Sequence, residues 1–299
     1  MIKLTPLSLP ERVVRAIIRY WPLPRGRTRI TNILTNWVSL PSSATFEFDY
    51  GVFVDTSLAN WPNGYRSLFL HGRMEDSELR VWECVLERGD AVIDCGANYG
   101  YWTLVSSRLV GQSGSVFAFE GNPPTASRLE QNVQASSCSN VRVYKCAVAA
   151  QEGTAFIHTA KENPIAGHAS LHPHEGWQWD EPTPIQQVAV DSIASSELWP
   201  TVRLIKLDIE GAELSALRGM ERLIKRDQPF ITVEWNTAAA NGFGYHPREI
   251  IQYLLDLGYT LATPRNGRFQ PGTQPAENEV SMMWFVPRDE NVRKTDPAR

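Results

Sequence analysis

The chain has 299 residues, of which 42% are hydrophobic and 21% charged, with a formal net charge of -4. That composition fits one large globular domain or two modest ones and excludes a mainly disordered chain. The mild acidity excludes a whole-chain basic footprint for nucleic acid, so no nucleic-acid partner is expected. No apolar run reaches the length of a membrane span, and the opening residues carry no signal-peptide pattern, since Leu4 to Leu9 is short and broken by Pro6. The four cysteines show no CxxC spacing. A reducing, cytoplasmic setting is therefore the default expectation.

Residues 1–30 hold seven cations, Lys3, Arg12, Arg15, Arg19, Arg25, Arg27 and Arg29, against Glu11 alone, a local charge of +6. Pro10 can open a helix there, with Val13, Val14, Ile17 and Ile18 on one face. A membrane-surface helix is one reading. Ten residues are few for an anchor, which favours a helix packed on its own domain or on a second subunit, as in a homodimer. Residues 45–56 alternate apolar and polar positions on both sides of Tyr50-Gly51 and predict a β-hairpin. Residues 75–88 carry Leu79, Trp82, Val85 and Leu86 at helical spacing, and Gly89 should stop that helix.

From Ala91 the pattern becomes alternating strand and helix. Strands are expected at 91–95, 115–120, 141–146, 202–208 and 230–235, with late strands at 259–262 and 281–286. Helices are expected at 101–109, 127–135, 212–219 and 247–257. That order predicts an α/β fold with a mostly parallel sheet and helices on both faces. Ligands then bind beyond the carboxyl ends of the strands.

The first such end reads Asp94-Cys95-Gly96-Ala97-Asn98-Tyr99-Gly100. Two glycines after a strand allow close backbone approach to a ligand. The dinucleotide pattern GxGxxG is missing, because Asn98 stands at its central glycine. Asp94 would repel a diphosphate and attract an ammonium, which favours a cofactor with an aminocarboxylate end. Glu120 ends the second strand, where a carboxylate can take both hydroxyls of a ribose. The bland alternative for either acid is a helix cap. The fourth strand end, Lys206-Leu207-Asp208-Ile209-Glu210-Gly211-Ala212-Glu213, gathers three acids and a lysine. Lys206 and Asp208 point the same way, and a buried lysine predicts an ion pair. Glu213 fits the acid expected at a helix N-terminus.

With these two stretches, followed by Leu217-Arg218-Gly219 and Val233-Glu234, the chain resembles the FkbM family of S-adenosylmethionine-dependent methyltransferases over about residues 70 to 286. The resemblance implies a Rossmann-like class I methyltransferase with a seven-stranded, mostly parallel sheet, and transfer of a methyl group, usually to oxygen. The organisation it suggests is an N-terminal extension at 1–70 and a methyltransferase domain at 71–299. One departure is Cys95, where the family often has Val or Ile. By the resemblance, Gly96, Ala97, Asn98 and Gly100 belong to the loop that holds the cofactor's methionine part, with Asp94 beneath. Glu120 and Gly121 would hold the ribose and Cys146 and Ala147 would face the adenine, while Glu75 also reaches the cofactor.

An alcohol becomes a nucleophile as its proton leaves, which calls for a base or a metal. Asp208 is the first candidate for the base and also for a cofactor contact, and Glu234 and Lys206 share its crevice. Asp208, Glu234 and one of Asn236 and His246 could hold a divalent ion such as magnesium through oxygen ligands. Residues 158–188 hold four histidines, four prolines, Trp177 and Trp179. They read as an inserted, lid-like loop, with His168 as its best candidate base. Asn122-Pro123-Pro124 reads as a turn and not as the motif of base-modifying methyltransferases. The expected activity is O-methylation of a small-molecule, glycosyl or lipid acceptor, such as a natural product. The competing readings are a dinucleotide-dependent oxidoreductase or a non-catalytic nucleotide-binding module on the same fold.

Overall fold

The computed structural model describes residues 9–19, 45–55, 76–159, 169–172, 178–265 and 268–288. Helix α1 (Leu9–Arg19) buries Val14 and Ile18 and leaves Leu9, Val13 and Ile17 exposed, so only half of the expected apolar face is covered. Strands β1 (Thr45–Phe48) and β2 (Val52–Asp55) pair antiparallel as a hairpin, with Tyr50 in a left-handed conformation at the turn. Helix α2 (Asp76–Val85) ends three residues earlier than the pattern suggested, and Gly89 takes a positive φ beyond it.

The core alternates β3 (Ala91–Cys95), α3 (Tyr101–Val110), β4 (Ser115–Phe119), α4 (Pro123–Ala135) and β5 (Val141–Tyr144). The Asn122-Pro-Pro turn proves to be the start of α4, with the prolines in the first helical turn, where no N–H is required of them. The chain then leaves the main sheet. Strands β6 (Ala147–Val148), β7 (Gly153–Thr159), β8 (Ala169–Ser170) and β9 (Thr183–Val188) form a separate four-stranded sheet. The third strand is therefore shorter than expected, and 158–188 is bordered by paired strands where a loop was expected.

After α5 (Val190–Ser196) the main sheet resumes with β10 (Val202–Leu207), α6 (Glu213–Arg218), α7 (Glu221–Asp227) and β11 (Phe230–Trp235). It finishes with α8 (Thr237–Gly242), α9 (Arg248–Asp256), β12 (Tyr259–Arg265), β13 (Arg268–Pro271) and β14 (Ser281–Pro287). The order across the main sheet is β13-β12-β14-β11-β10-β3-β4-β5. It has eight strands where seven were expected, because β12 folds back through β13 as a hairpin before β14. β14 runs antiparallel to both neighbours, while β11, β10, β3, β4 and β5 are parallel.

Alternation along the strands sends residues to two faces. Ile93, Cys95, Phe117, Phe119, Ile205 and Leu207 pack in a core with α5, α6, α7 and α9. Val92, Val116, Leu204 and Phe230 pack with Val81, Trp82 and Val85 of α2. On this second face the next positions are polar. Asp94, Lys206 and Thr232 lie side by side in register across β3, β10 and β11, and Glu234 follows on β11. All three of the in-register residues are buried. The strand order reverses between β3 and β10, which sets the ligand crevice at their carboxyl ends. Among the described residues no helix is long and apolar enough to cross a membrane.

Candidate active site

The turn after β3 is built for close approach. Gly96 and Asn98 both have positive φ, at 74° and 52°. Gly96 and Ala97 donate their N–H groups to Phe119 O, each at 3.0 Å, which knits the turn to β4. Glu120 then joins two loops. Its Oε2 accepts from the Asn98 N–H and its Oε1 from the Asn122 N–H, both at 2.8 Å. Burial raises its pKa, and these two N–H groups oppose the rise. Each carboxylate oxygen keeps a further lone pair for a ligand hydroxyl.

Beneath the turn lies the expected ion pair. Lys206 Nζ is 3.4 Å from Asp94 Oδ1 and 3.2 Å from Asp208 Oδ2. It also donates to Gly96 O at 3.3 Å. Asp94 is fully buried and accepts from Thr103 Oγ1 at 2.6 Å. Burial alone would lower the Lys206 pKa, but the Asp208 and Asp94 carboxylates lift it above the ordinary lysine value. Lys206 is therefore a fixed cation that bridges two strand ends and is unsuited to passing a proton. Asp208 differs from Asp94 in having a side chain 41% exposed, so its carboxylate faces open space.

A cavity of about 200 Å³ opens over these groups. Gly96, Ala97 and Asn98 line one wall, Glu120 and Gly121 another, and Cys146 and Ala147 a third. Lys206, Asp208 and Glu210 line it from β10 and the turn that follows. Ala169 and Leu171, at the edge of the second sheet, close it further. Cys146 is a buried thiol with its pKa pushed up to about 11 by burial, so it serves as an apolar wall.

Two expected residues do not face this cavity. Asp94 lies below it, as described. Gly100 begins α3 with a φ of 98°, and a Cβ there would meet Leu129 Cδ1 at 2.6 Å, so its glycine serves helix packing and not the ligand. Glu75 and His168 lie outside the described residues. The suggested magnesium set is not assembled. Asn236 uses its side chain to cap α8 by accepting the Ala239 N–H at 3.1 Å. His246 pairs with Glu277 at 3.0 Å. Among the described residues no group of three His, Cys, Asp or Glu side chains is placed to hold a metal ion.

Glu234 lines an adjoining cavity of about 370 Å³ that shares Trp102, Lys206 and Asp208 with the first. Burial, followed by the charges of Asp208, Glu210 and Glu213 and opposed by Lys206, pushes its pKa up to about 10. The carboxyl is protonated at neutral pH, which removes Glu234 both as a base and as an anionic metal ligand. A stability consequence follows from linkage. The unfolded chain releases this proton near the ordinary 4.5 while the native protein keeps it to about 10, so this group lowers stability as pH rises between those values. Glu234→Gln should therefore gain on the wild type in thermal unfolding at pH 9 relative to pH 6, by a few degrees if the relief is ~1 kcal/mol. Equal Tm differences at the two pH values would refute the assignment.

Glu210, which the sequence places beside Asp208 at the strand end without giving it a role, lines the main cavity at a φ of 54°, with its pKa pushed up to about 8 by burial and then by the Asp208 and Glu213 charges. The Asp-x-Glu spacing was its only signal. Trp102 is a cavity residue that the sequence does not single out. That residue lies in a helix, and its stacking on Trp82 at 4.5 Å between ring centres had no sequence signature. Glu213 is structural. Its Oε1 accepts the Ile209 and Gly211 N–H groups at 3.0 and 3.2 Å, and its Oε2 accepts from Tyr245 Oη at 3.1 Å, which fixes the turn that carries Glu210.

The match to the Methyltransferase FkbM domain points the same way as the strand order and the loop. A protein of Beauveria bassiana named Methyltransferase 1 is 27% identical over 147 residues, covering 44% of this chain and 58% of that one. Hexuronic acid methyltransferase AglP of Haloferax volcanii is 26% identical over 184 residues, covering 62% of this chain and 69% of that one. Among solved structures, a methyltransferase FkbM from Methylobacillus flagellatus KT is 15% identical with a TM-score of 0.43, covering 74% of this chain and 52% of that one. A SAM dependent methyltransferase from Aquifex aeolicus is 18% identical with a TM-score of 0.38, covering 71% of this chain and 88% of that one. The chain thus spans a little over half the length of the Beauveria and Methylobacillus proteins. The Methyltransferase FkbM domain matches residues 94–261, more than half of the chain. The chain belongs to the FkbM methyltransferase family.

Proposed function

We propose that the protein is an S-adenosylmethionine-dependent O-methyltransferase acting on a hydroxyl group of a small-molecule or glycosyl acceptor. The observation that carries this reading is the placement of Asp208, half-exposed at the end of β10, on the shared wall of two cavities. The larger set of cofactor-type contacts lines the first. Its donor set suits S-adenosylmethionine: backbone of Gly96–Asn98 for the aminocarboxylate, Glu120 for the ribose, and Cys146 and Ala147 as apolar wall for the adenine. When bound, that cofactor supplies an electrophilic methyl group and leaves as S-adenosylhomocysteine.

Asp208 would then take the proton of the acceptor hydroxyl as its oxygen becomes nucleophilic. Lys206 holds the Asp208 carboxylate in place and is a positioning residue. Glu210, poised near neutral pH, is the second proton acceptor in reach of the main cavity. The name of the Haloferax relative supports a glycosyl acceptor. A dinucleotide-dependent oxidoreductase finds less support, since the turn after β3 lacks the open central glycine a pyrophosphate needs.

Calorimetry with S-adenosylhomocysteine, with NAD as control, tests the cofactor. Micromolar binding of the first and none of the second is expected, and tight NAD binding would overturn the reading. Once an acceptor is in hand, Asp208→Asn should lower kcat by ~10²-fold or more, with S-adenosylhomocysteine affinity within a few fold. Full turnover would transfer the base role to Glu210, which Glu210→Gln would then reveal.

A further inference from the structure

No described residue of helix α1 lines either cavity. The helix instead divides its surface into three rows. Val14 and Ile18, four residues apart, are turned away from solvent, at 7% and 1% exposure. Leu9, Val13 and Ile17 form the neighbouring row at the same spacing, and they are 72%, 49% and 39% exposed. Arg12, Arg15 and Arg19 hold positions on the next row, and Arg12 is exposed. Packing within the molecule accounts for the buried row. It gives no reason for an apolar row left in water beside a cationic one.

We propose that α1 docks the protein on an anionic membrane surface, with Leu9, Val13 and Ile17 entering the interface and the arginine row meeting the lipid head groups. The inference is independent of the reading of the active site.

An apolar stripe flanked by arginines is the pattern of a helix that lies in the plane of a membrane surface. Three side chains bury too little apolar area to hold a protein there alone. A second attraction is needed, and clustered cations supply it on anionic lipid. Residues 1–30 carry a net +6 in a chain whose total is -4, so the positive charge is concentrated where the stripe is. Charge also selects among occupants. A second copy of the chain would bring its own +6 segment to the contact, and like charges repel. Three exposed side chains also offer far less than the ~800 Å² per partner of a standard protein interface. A nucleic acid would pair with the arginines and leave the apolar row wet. An anionic bilayer satisfies both rows at once.

The test is co-sedimentation of the full chain with vesicles of phosphatidylcholine and phosphatidylserine, against vesicles of phosphatidylcholine alone. Binding to the mixed vesicles should be at least ~10-fold tighter, and it should weaken by a similar factor between ~0.1 M and ~1 M salt. The double variant Val13→Asp, Ile17→Asp should lower binding to the mixed vesicles at least ~10-fold, because it charges the stripe. Arg12→Glu should lower it roughly 10–30-fold through charge alone. All three positions are exposed, so the melting temperature should stay at the wild-type value in both variants. If the double variant fails to fold, Arg12→Glu decides. No binding to the mixed vesicles, equal binding to both vesicle types, or binding indifferent to Arg12→Glu would overturn the proposal. Preference for a single-stranded RNA over the mixed vesicles would overturn it in favour of nucleic acid. A wild-type dimer that the double variant converts to monomer in sedimentation velocity would give the stripe to a second copy of the chain and overturn it as well.

Discussion

Replacing Lys206 with methionine is expected to destabilise the protein by about 3–5 kcal/mol, the range for removing one partner of a buried ion pair. The magnitude comes from Asp94. Its side chain is fully buried, and its Oδ1 has the Lys206 ammonium as its charge partner at 3.4 Å. Methionine fills much of the lysine volume, so the loss isolates charge from packing. Asp208 adds little to the penalty, because its side chain is 41% exposed and can hydrate. The control is the double variant Asp94→Asn, Lys206→Met. Asparagine can still accept from Thr103, so neutralising both partners should recover most of the lost stability. Urea unfolding of the three proteins measures the coupling. A single variant less than ~1 kcal/mol below wild type, or a double variant no better than the single, would mean that the pair does not hold the two strand ends together. The variant should also bind S-adenosylhomocysteine more weakly, because Gly96 O loses its Nζ donor.

The same pair shows what a sequence can and cannot convey. Lys206 is conspicuous because an apolar strand has no ordinary use for a lysine, and the in-register Asp94 answers the expectation of an ion pair. The central strands are legible for a similar reason. Parallel strands covered on both faces read as continuous apolar runs, and Ala91–Cys95 is buried throughout. The small second sheet is not legible, because Thr183–Val188 contains a proline and two glutamines and looks like loop until it pairs with Gly153–Ile157. Within the site, the turn after β3 announces itself locally, whereas the second cavity is assembled from distant pieces. Trp82 and Glu78 come from α2, Thr232 and Glu234 from β11, and Ser281 and Met282 from β14. Each alone reads as core or surface, and only the packing of α2 over the polar row on the sheet makes them a pocket. Asn236 misleads in the opposite sense. It stands beside the candidate acids in sequence, but its side chain is spent on the α8 cap.

Gly96→Ala is the second large effect, and it separates backbone demand from simple crowding. A Cβ at this position would fall 1.8 Å from Asp208 O and 2.9 Å from its carbonyl carbon. Backbone cannot swing aside as a side chain can. Asp208 N donates to Cys95 O at 3.2 Å, so a shift of that peptide pulls β10 away from β3 at the crevice itself. The φ of 74° adds a penalty for any L-residue. Overpacking and the left-handed backbone together predict a loss of about 2–5 kcal/mol in stability. Affinity for S-adenosylhomocysteine should fall at least ~100-fold, because the turn, the Lys206 contact and Asp208 all move together. Gly121→Ala is the matched control. Gly121 lines the same cavity, but its added Cβ would first meet Ile185 Cδ1 at 3.2 Å, the far end of a flexible side chain. That variant should keep its stability within ~1 kcal/mol. Thermal unfolding and calorimetry on both proteins decide the matter. If Gly96→Ala binds and melts like Gly121→Ala, the turn tolerates a side chain, and the close packing of β3 against the end of β10 is not what shapes the cofactor wall.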